Sequence, residues 1–257
     1  MIVCRTAAEL EKMRAAGRLV GQVLTAMSTA VAPGVTTADL DALAEQMIVD
    51  AGAIPAFKGY HGYPATICAS VNDEVIHGIP SGKRILQTGD IISIDVGAAL
   101  GGYYGDSAIT LPVGPISEAA AKLLRVTDES LYKAIEMVRP GGRVSDIGHA
   151  VQAHVEAHGF SVVREFVGHG IGQQMHEDPQ VPNYGEPGRG PRLAEGMVLA
   201  IEPMVNAGKP AVKVLSDGWT AVTRDRSLAA HFEHTVAVTA DGPWILTARD
   251  TPVAARK

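Results

Sequence analysis

An internal duplication is the feature of this sequence that most restricts its fold. The segment VAPGVTTADLDALAEQMIVDAG at 31–52 aligns with VRPGGRVSDIGHAVQAHVEAHG at 138–159, at a constant offset of 107 residues. The same offset carries LQTGDIISID at 86–95 onto LAEGMVLAIE at 193–202. Two helices followed by strands therefore occur twice. Each half alone would expose an apolar helix face and an apolar sheet face, so the halves must pack on each other.

Periodic apolar residues predict the helices of the first half. Thr6 and Glu9 have the spacing of a capping box, and apolar residues then recur at intervals of three and four as far as Pro33. A second helix is predicted from about residue 36 to Gly52, and its apolar face consists of Leu40, Leu43, Met47 and Ile48. Strand-like runs follow at 65–72, 91–96 and 103–111.

These patterns predict an α+β fold in which one domain fills the chain from 1 to 257. Its two halves, about 5–112 and 117–248, would be related by a pseudo-twofold axis. Helices would cover an antiparallel curved sheet, because each helix and each sheet has one apolar face to bury.

Composition and charge exclude several functions. The net charge of -6 gives no overall basic footprint, which argues against duplex nucleic acid as the main ligand and leaves a local basic patch open. Cys4 and Cys68 form no C-x-x-C pair, so neither a disulfide framework nor a thiolate zinc site is expected. The N-terminus becomes charged before a signal-peptide apolar region develops, and no apolar run approaches the roughly 18 residues of a membrane span. We therefore expect a cytoplasmic protein without membrane contact.

Acidic residues occur in four apolar strands. The 107-residue offset places Asp95 on Glu202, an acid at the end of an apolar strand in each half. If the hairpin after Asp95 turns tightly at residues 100–101, Asp106 lies directly opposite Asp95. In the second half AAHFEHTVAV at 229–238 resembles the returning strand, with Glu233 in the place of Asp106. A single acid at a strand end is usually a turn or rim residue, but the symmetric placement of four predicts that they converge.

Four converging carboxylates need either shared protons or cations, because each ionised group is costly to desolvate. Divalent metal is the simpler solution. His169 offers nitrogen ligation within FVGHGIG, where glycines allow a tight turn. FKG at 57–59 and FVG at 166–168 would be equivalent strands that direct His169 to the same centre. Carboxylates with one imidazole suit two ions of the Mn, Fe(II), Co or Zn type, which together can bridge and activate a water molecule.

The remaining histidines give weaker signals. His77 and His176 follow polar, turn-forming sequence and are either surface loop residues or functional. His154 and His158 have the i, i+4 spacing of a helical metal pair. Their repeat equivalents are a methionine and an alanine, which favours a plain helix face. No independent signal distinguishes His61, His149, His231 and His234.

A family resemblance rests on the ordered acids and the histidine, in SIDVGAALGGYYGDSAIT, GHGIG, AIEPM and FEHTVAV. With these motifs the chain resembles the type I methionine aminopeptidases over about residues 5 to 248, which implies the pita-bread fold. Related prolidases and Xaa-Pro aminopeptidases carry a large extra N-terminal domain, and type II methionine aminopeptidases carry a helical insertion in the second half. The short type I form is the best match.

The resemblance implies roles for the five metal ligands. Asp95 would chelate one ion, and Asp106 and Glu233 would bridge two ions. His169 and Glu202 would complete the coordination of the second ion. Glu202 would also act as a general base or proton shuttle, a role that a ligand carboxylate can share.

The resemblance also implies substrate contacts. His77 would hydrogen-bond the substrate near the scissile amide, and His176 would stabilise the developing oxyanion. Tyr60, Tyr63, Cys68 and Trp219 would form the walls of the pocket for the methionine side chain. The alternative interpretation is that these residues are ordinary core or rim residues. Met175 departs from the aromatic residue that many relatives have before this histidine.

We therefore expect a dinuclear metallo-aminopeptidase that removes the initiator methionine when the next residue is small. Its partners would be nascent polypeptide N-termini, with transient ribosome contact, and the enzyme would be a monomer. One alternative is a proline-directed aminopeptidase, which the missing N-terminal domain and the predicted methionine pocket disfavour. A second alternative is a non-catalytic binding protein on this scaffold, which would not need five costly buried ionisable groups.

Overall fold

The computed structural model describes residues 1–249. In the first half two helices precede the strands, and the elements are α1 (Ala7–Ala30), α2 (Thr37–Asp50), β1 (Ile54–Pro55), β2 (Ile67–Val71), β3 (Glu74–Ile76), β4 (Ile91–Leu100) and β5 (Tyr103–Pro112). A short 3-10 turn covers Tyr60–Gly62.

The second half repeats this order. Its elements are α3 (Glu118–Glu136), α4 (Val144–Ala157), β6 (Ser161–Val162), β7 (Gly168–Gly170), β8 (Glu177–Val181), β9 (Val198–Ile201), β10 (Met204–Asn206), β11 (Val212–Val214), β12 (Ala221–Thr223), β13 (Ala229–His231), β14 (His234–Thr239) and β15 (Gly242–Ile245). Strand β9 begins 107 residues after β4, as the duplication predicts. All strand pairs described within residues 1–249 are antiparallel.

Capping residues set the helix starts. The Thr6 hydroxyl accepts from the Glu9 backbone while the Glu9 carboxylate accepts from the Thr6 backbone, so the predicted capping box begins α1. Thr36 caps α2 in the same way. The apolar face predicted for α2 is partly wrong. Leu40 and Ile48 are buried, but Leu43 is exposed, because it lies outside the stripe that α2 buries against α1, β1 and β2.

The hairpin β4–β5 has a different register from the predicted one. Its two-residue turn is Gly101-Gly102, both with positive φ (59° and 81°), which is the conformation that a tight hairpin requires. Asp95 is therefore opposite Ala108, and Asp106 is opposite Gly97. The prediction that the two aspartates face each other directly is wrong by two residues. They are diagonal neighbours on one face of the hairpin, where long side chains still meet.

Threonine hydroxyls join the halves along a seam between β5 and the segment 229–235. Thr110 donates to the His231 carbonyl (2.8 Å) and accepts from the His231 amide (2.8 Å). Thr235 makes the same pair of bonds with Asp106 (2.7 and 3.1 Å). All four residues are buried, so the hydroxyls satisfy backbone groups that water cannot reach.

The reciprocal hydrogen bonds show which residues of the two halves are equivalent under the pseudo-twofold axis. Thr110 corresponds to Thr235, and Asp106 therefore corresponds to His231. Glu233 corresponds to Ala108, whose carbonyl accepts from the Glu233 amide at 2.9 Å. The predicted equivalence of Glu233 with Asp106 is wrong, because the longer second-half connection shifts the returning strand.

Helix α1 packs on β4 and β5, and its closest approach is beside Asp106. A Cβ atom on Gly105 would lie 2.8 Å from the Gly17 backbone nitrogen, so only glycine fits between helix and strand there. The repeat-related residues Leu24 and Leu131 are both fully buried in the main core. Among residues 1–249, no helix has the length and apolar character that a membrane crossing needs.

Candidate metal centre

The four acids and His169 meet in one buried cluster. Asp95 lies on β4 and Asp106 on β5, Glu202 directly follows β9, and Glu233 lies between β13 and β14. No side chain of the five residues is more than about a tenth exposed. The structure thus brings together every metal ligand that the sequence predicts.

His169 reaches both halves of the cluster. Its Nε2 atom lies 3.9 Å from Asp106 Oδ2 and 3.6 Å from Glu202 Oε1. Asp106, His169 and Glu233 each have one potential ligand atom, and these three atoms lie within 4.8 Å of one another. They are therefore close enough to bind one ion together. Asp95 belongs to the same group, since it lies close enough to Asp106 for its charge to raise the pKa of that carboxyl.

The backbone fixes the orientation of the His169 ring. Its Nδ1–H donates to the Gly170 carbonyl at 2.9 Å, which leaves the Nε2 lone pair directed into the cluster. Strand β7 carries His169 opposite Ala200 of β9. The predicted equivalence of FKG at 57–59 with FVG at 166–168 is wrong, because residues 57–59 form no strand and β2 is the strand that pairs with β4.

Electrostatics disfavour the cluster as it stands. Burial raises the pKa of Asp95 to about 7. Burial and the charge of Asp95 raise the pKa of Asp106 and of Glu202 well above their usual values. Burial together with the other three acids does the same for Glu233. Each acid therefore resists ionisation because its neighbours repel it in a poorly solvated site.

Unpaired oxygens show what the cluster lacks. Within the described residues, Asp95 Oδ1, Asp106 Oδ1 and Glu233 Oε1 are buried and have no hydrogen-bond partner. Buried carboxylate oxygens normally have partners. Divalent cations would supply the missing partners and neutralise the repulsion, so this donor set of oxygens and one imidazole fits metal.

His231 belongs to the same site, although its sequence context gave no signal. Its Nε2 atom lies 3.8 Å from Glu202 Oε2, is buried, and has no hydrogen-bond partner in the described part of the chain. Burial lowers the pKa of His231 to about 3, so the ring is neutral. The signal that finds it is the pseudosymmetry, which places it where Asp106 lies in the first half.

A partly enclosed cavity of about 250 Å³ opens onto the acids. The six predicted substrate-contacting residues all line it: Tyr60, Tyr63, Cys68, His77, His176 and Trp219. Sequence reasoning missed other lining residues, among them Phe57, His61 and Phe166. These residues carry no recognisable spacing, because loops bring them to the cavity.

The apolar end of this cavity is rigid. Tyr63 donates its hydroxyl hydrogen bond to the backbone carbonyls of Ile67 and Gly78 (3.0 Å to each), and Trp219 packs edge-on against its ring at 5.1 Å. Cys68 of β2 is opposite Asp95 of β4. Burial and the nearby charge of Asp95 raise the pKa of the Cys68 thiol. The thiol is therefore neutral and completes an apolar wall.

The two predicted catalytic histidines lie at the polar end. Burial lowers the pKa of His77 to about 4, and the ring lies edge-on to Phe166 and Trp219. The ring of His176 is 4.2 Å from that of His169, and its Nδ1 atom hydrogen-bonds the Tyr60 hydroxyl at 2.8 Å. Burial also lowers the pKa of His176, so both rings are neutral, and both line the cavity that the acids line.

An ion pair from the N-terminal segment holds the loop that carries His176. The Arg5 guanidinium donates to both oxygens of Glu177, which also accepts from the backbone amides of Gln173 (2.9 Å) and Gln174 (3.1 Å). Both partners are largely buried. The pair is far apart in sequence, and sequence reasoning gave no indication of it.

Comparison with known proteins identifies the class. The model of metallopeptidase family M24 matches residues 11–240. A methionine aminopeptidase of Clostridium acetobutylicum is 59% identical over 96% of this chain and 99% of its own length. The crystal structure of methionine aminopeptidase from Thermotoga maritima has a TM-score of 0.95 at 49% identity, covering 97% of this chain and 100% of that one. A prolidase from Pyrococcus furiosus shares the fold, with a TM-score of 0.78 at 24% identity over 97% of this chain and 66% of its own.

The fold and the acid cluster define a metallopeptidase, and the chain belongs to family M24. The pita-bread expectation is thereby confirmed. Within the family the chain belongs to the methionine aminopeptidases, metal-dependent hydrolases that remove an N-terminal methionine.

Proposed function

We propose that this methionine aminopeptidase uses two divalent ions held by Asp95, Asp106, His169, Glu202 and Glu233. The observation that carries the proposal is the set of buried carboxylate oxygens without partners, contributed by both halves of the chain. A single ion would leave part of the repulsion among four carboxylates uncompensated. Co, Mn, Fe(II) and Zn all suit this donor set.

The resemblance and the geometry support the same division of labour. Asp106 and Glu233 each have a potential ligand atom within 4.8 Å of one on His169, and Glu202 Oε1 lies 3.6 Å from His169 Nε2. Bound ions would activate the attacking water and stabilise developing negative charge. Glu202 would hold and move the proton of that water, a role that a ligand carboxylate can share.

We assign His231 to the positioning of Glu202. As a ligand Glu202 would present one oxygen to metal, and the other, Oε2, lies 3.8 Å from His231 Nε2. That distance is slightly longer than a hydrogen bond, and a small rotation of the carboxylate closes it. A neutral imidazole can donate this bond without adding charge, which fixes the carboxylate plane.

The cavity supports the substrate assignment. The walls formed by Tyr63, Cys68 and Trp219 suit a flexible thioether side chain. His77 and His176 would contact the scissile amide, His77 as a hydrogen-bond partner and His176 as a donor to the oxyanion. A second, open cleft of about 720 Å³ adjoins His169 and His176 and would take the remainder of a polypeptide.

The resemblance implies that the second substrate residue is restricted to small side chains, and the limited volume of the cavity, about 250 Å³, fits a steric restriction. We further propose that the enzyme works as a cytoplasmic monomer on nascent N-termini, with transient ribosome contact. The net charge of -6 fits a catalytic role better than stable binding to RNA.

The test uses protein that has been treated with a chelator and then reloaded with Co, Mn or Fe(II). Cleavage of Met-Ala peptides should return with metal, while Ala-Pro peptides and Met-Leu peptides stay intact. Efficient Ala-Pro cleavage without Met-Ala cleavage would instead support a proline-directed enzyme.

Asp106→Asn should abolish turnover and weaken metal binding while the circular dichroism spectrum persists. Retained turnover would contradict the bridging role of Asp106.

A further inference from the structure

A second group of metal-ligating side chains lies outside the catalytic centre, between α3 and α4. Glu129 of α3 and the histidines His154 and His158 from the end of α4 place one potential ligand atom each within 4.8 Å of one another. All three residues are partly buried. We propose that they form a binding site for a divalent transition ion of the zinc type.

The histidine pair has the geometry of a helical chelate. His154 and His158 are one turn apart, and their ring centroids are 4.6 Å apart. His158 Nδ1–H donates to the His154 carbonyl at 2.8 Å, which fixes the tautomer and leaves Nε2 as the ligand atom. This is the same device that orients His169 in the catalytic centre.

Glu129 supplies a third donor from the neighbouring helix. Its Oε2 atom lies 3.0 Å from His154 Nε2. Two donors on a tetrahedral zinc ion, with bonds of about 2.0–2.1 Å, are about 3.4 Å apart. The observed spacing therefore needs only a small adjustment. The other oxygen, Oε1, accepts from Arg125 at 2.9 Å, an outer contact of the kind that orients ligating carboxylates.

Three protein ligands would leave one tetrahedral position for water. Arg125 and Lys122 place positive charge nearby, since Lys122 donates to the His158 carbonyl at 2.9 Å. The site should therefore bind more weakly than the catalytic centre with its four carboxylates. An ion there would connect α3 to α4 on the outside of the second half.

The first half provides an internal comparison. The 107-residue offset places Gln22, Met47 and Ala51 at the positions of Glu129, His154 and His158. None of the three is a good ligand for zinc, so the site is confined to one half. The fold accepts these side chains at equivalent positions, which makes E129Q, H154M and H158A well-matched variants.

The experiment measures zinc bound per chain by equilibrium dialysis at buffered free zinc and elemental analysis. H154M, H158A and E129Q should each bind one zinc ion fewer than the unaltered protein and retain Met-Ala cleavage. His149 is also on α4 but contacts Gly185 instead, so H149A should bind as much zinc as the unaltered protein. Circular dichroism checks that each variant is folded. Because three variants remove three different ligands, the test still stands if one of them fails to fold.

A second comparison distinguishes zinc bound at the proposed site from ions bound at the catalytic centre. D106N should lose catalytic ions but keep the zinc ion that the double variant D106N/H154M lacks. Equal zinc binding by the unaltered protein and all three site variants would overturn the proposal, and so would a D106N protein that binds no zinc. In either case the contact between His154 and Glu129 would be a plain hydrogen bond.

Discussion

Replacing Asp95 with asparagine should stabilise the metal-free protein and destabilise the metal-loaded one relative to the unaltered protein. Asparagine keeps the size of the side chain but cannot ionise. In the metal-free protein it removes one of four carboxylates that repel one another. In the loaded protein it removes a proposed ligand.

The magnitude follows from the pKa of Asp95, which burial raises from 3.8 to about 7. Each pH unit in that interval corresponds to about 1.4 kcal/mol, so ionised Asp95 costs the folded state about 4 kcal/mol above pH 7. Between pH 4 and 7 the folded state binds more protons than the unfolded state, so stability falls as the pH rises. The D95N variant loses this penalty, and at about 2–4 °C per kcal/mol its melting temperature should rise by roughly 10 °C at pH 7.5.

Calorimetry at pH 7.5 and pH 4 tests this reasoning, with chelator and with saturating Mn²⁺. The advantage of the D95N protein should be largest with chelator at pH 7.5 and shrink towards pH 4. With Mn²⁺ the order should reverse, because the unaltered protein gains binding free energy. D241N, a change in the exposed turn after β14, is the control and should change none of these values. A chelated D95N protein no more stable than the unaltered protein at pH 7.5 would refute the argument.

Three further substitutions test the site. In G97A the new Cβ would lie 2.6 Å from the Phe57 ring and 2.7 Å from Met175 Cε, so KM for Met-Ala peptides should rise several-fold with metal affinity unchanged; an unaltered KM would contradict this crowding. H231L should lower kcat at least tenfold in steady-state assays, whereas H231Q, which keeps a donor, should retain most of it; equal losses in both would indicate a merely structural residue. R5M leaves Glu177 buried without its cation and should cost about 3 kcal/mol in denaturant unfolding. The double variant R5M/E177Q should recover part of that loss, and no recovery would argue against the ion pair.

Local signals in the sequence predict the helices well. The capping box at Thr6 specifies where α1 begins, because its hydrogen bonds involve residues three apart, and the apolar spacing after residue 36 predicts α2. Leu43 was assigned wrongly because periodicity shows that a face is apolar but does not show how wide a stripe the neighbouring elements cover.

The duplication predicts that the four acids converge but not their exact register. Gly101 and Gly102 can both adopt the positive φ of the turn, and the alternative position of that turn shifts Asp106 by two residues along the strand. The four acids were still found, because a shift of two keeps a side chain on the same face. Side chains that the tertiary structure alone brings together, such as Glu129 with His154, leave no periodic trace in the chain.

The proposed ligands of the metal centre come from both halves of the fold, from Asp95 on β4 to Glu233 before β14. During translation Asp95 leaves the ribosome first and Glu233 last. A chain interrupted before Glu233 therefore lacks the complete set of proposed ligands. Completion of the proposed metal centre is thus a late event in the synthesis of each molecule, because the second half must be made before Asp95 and Asp106 acquire their partners.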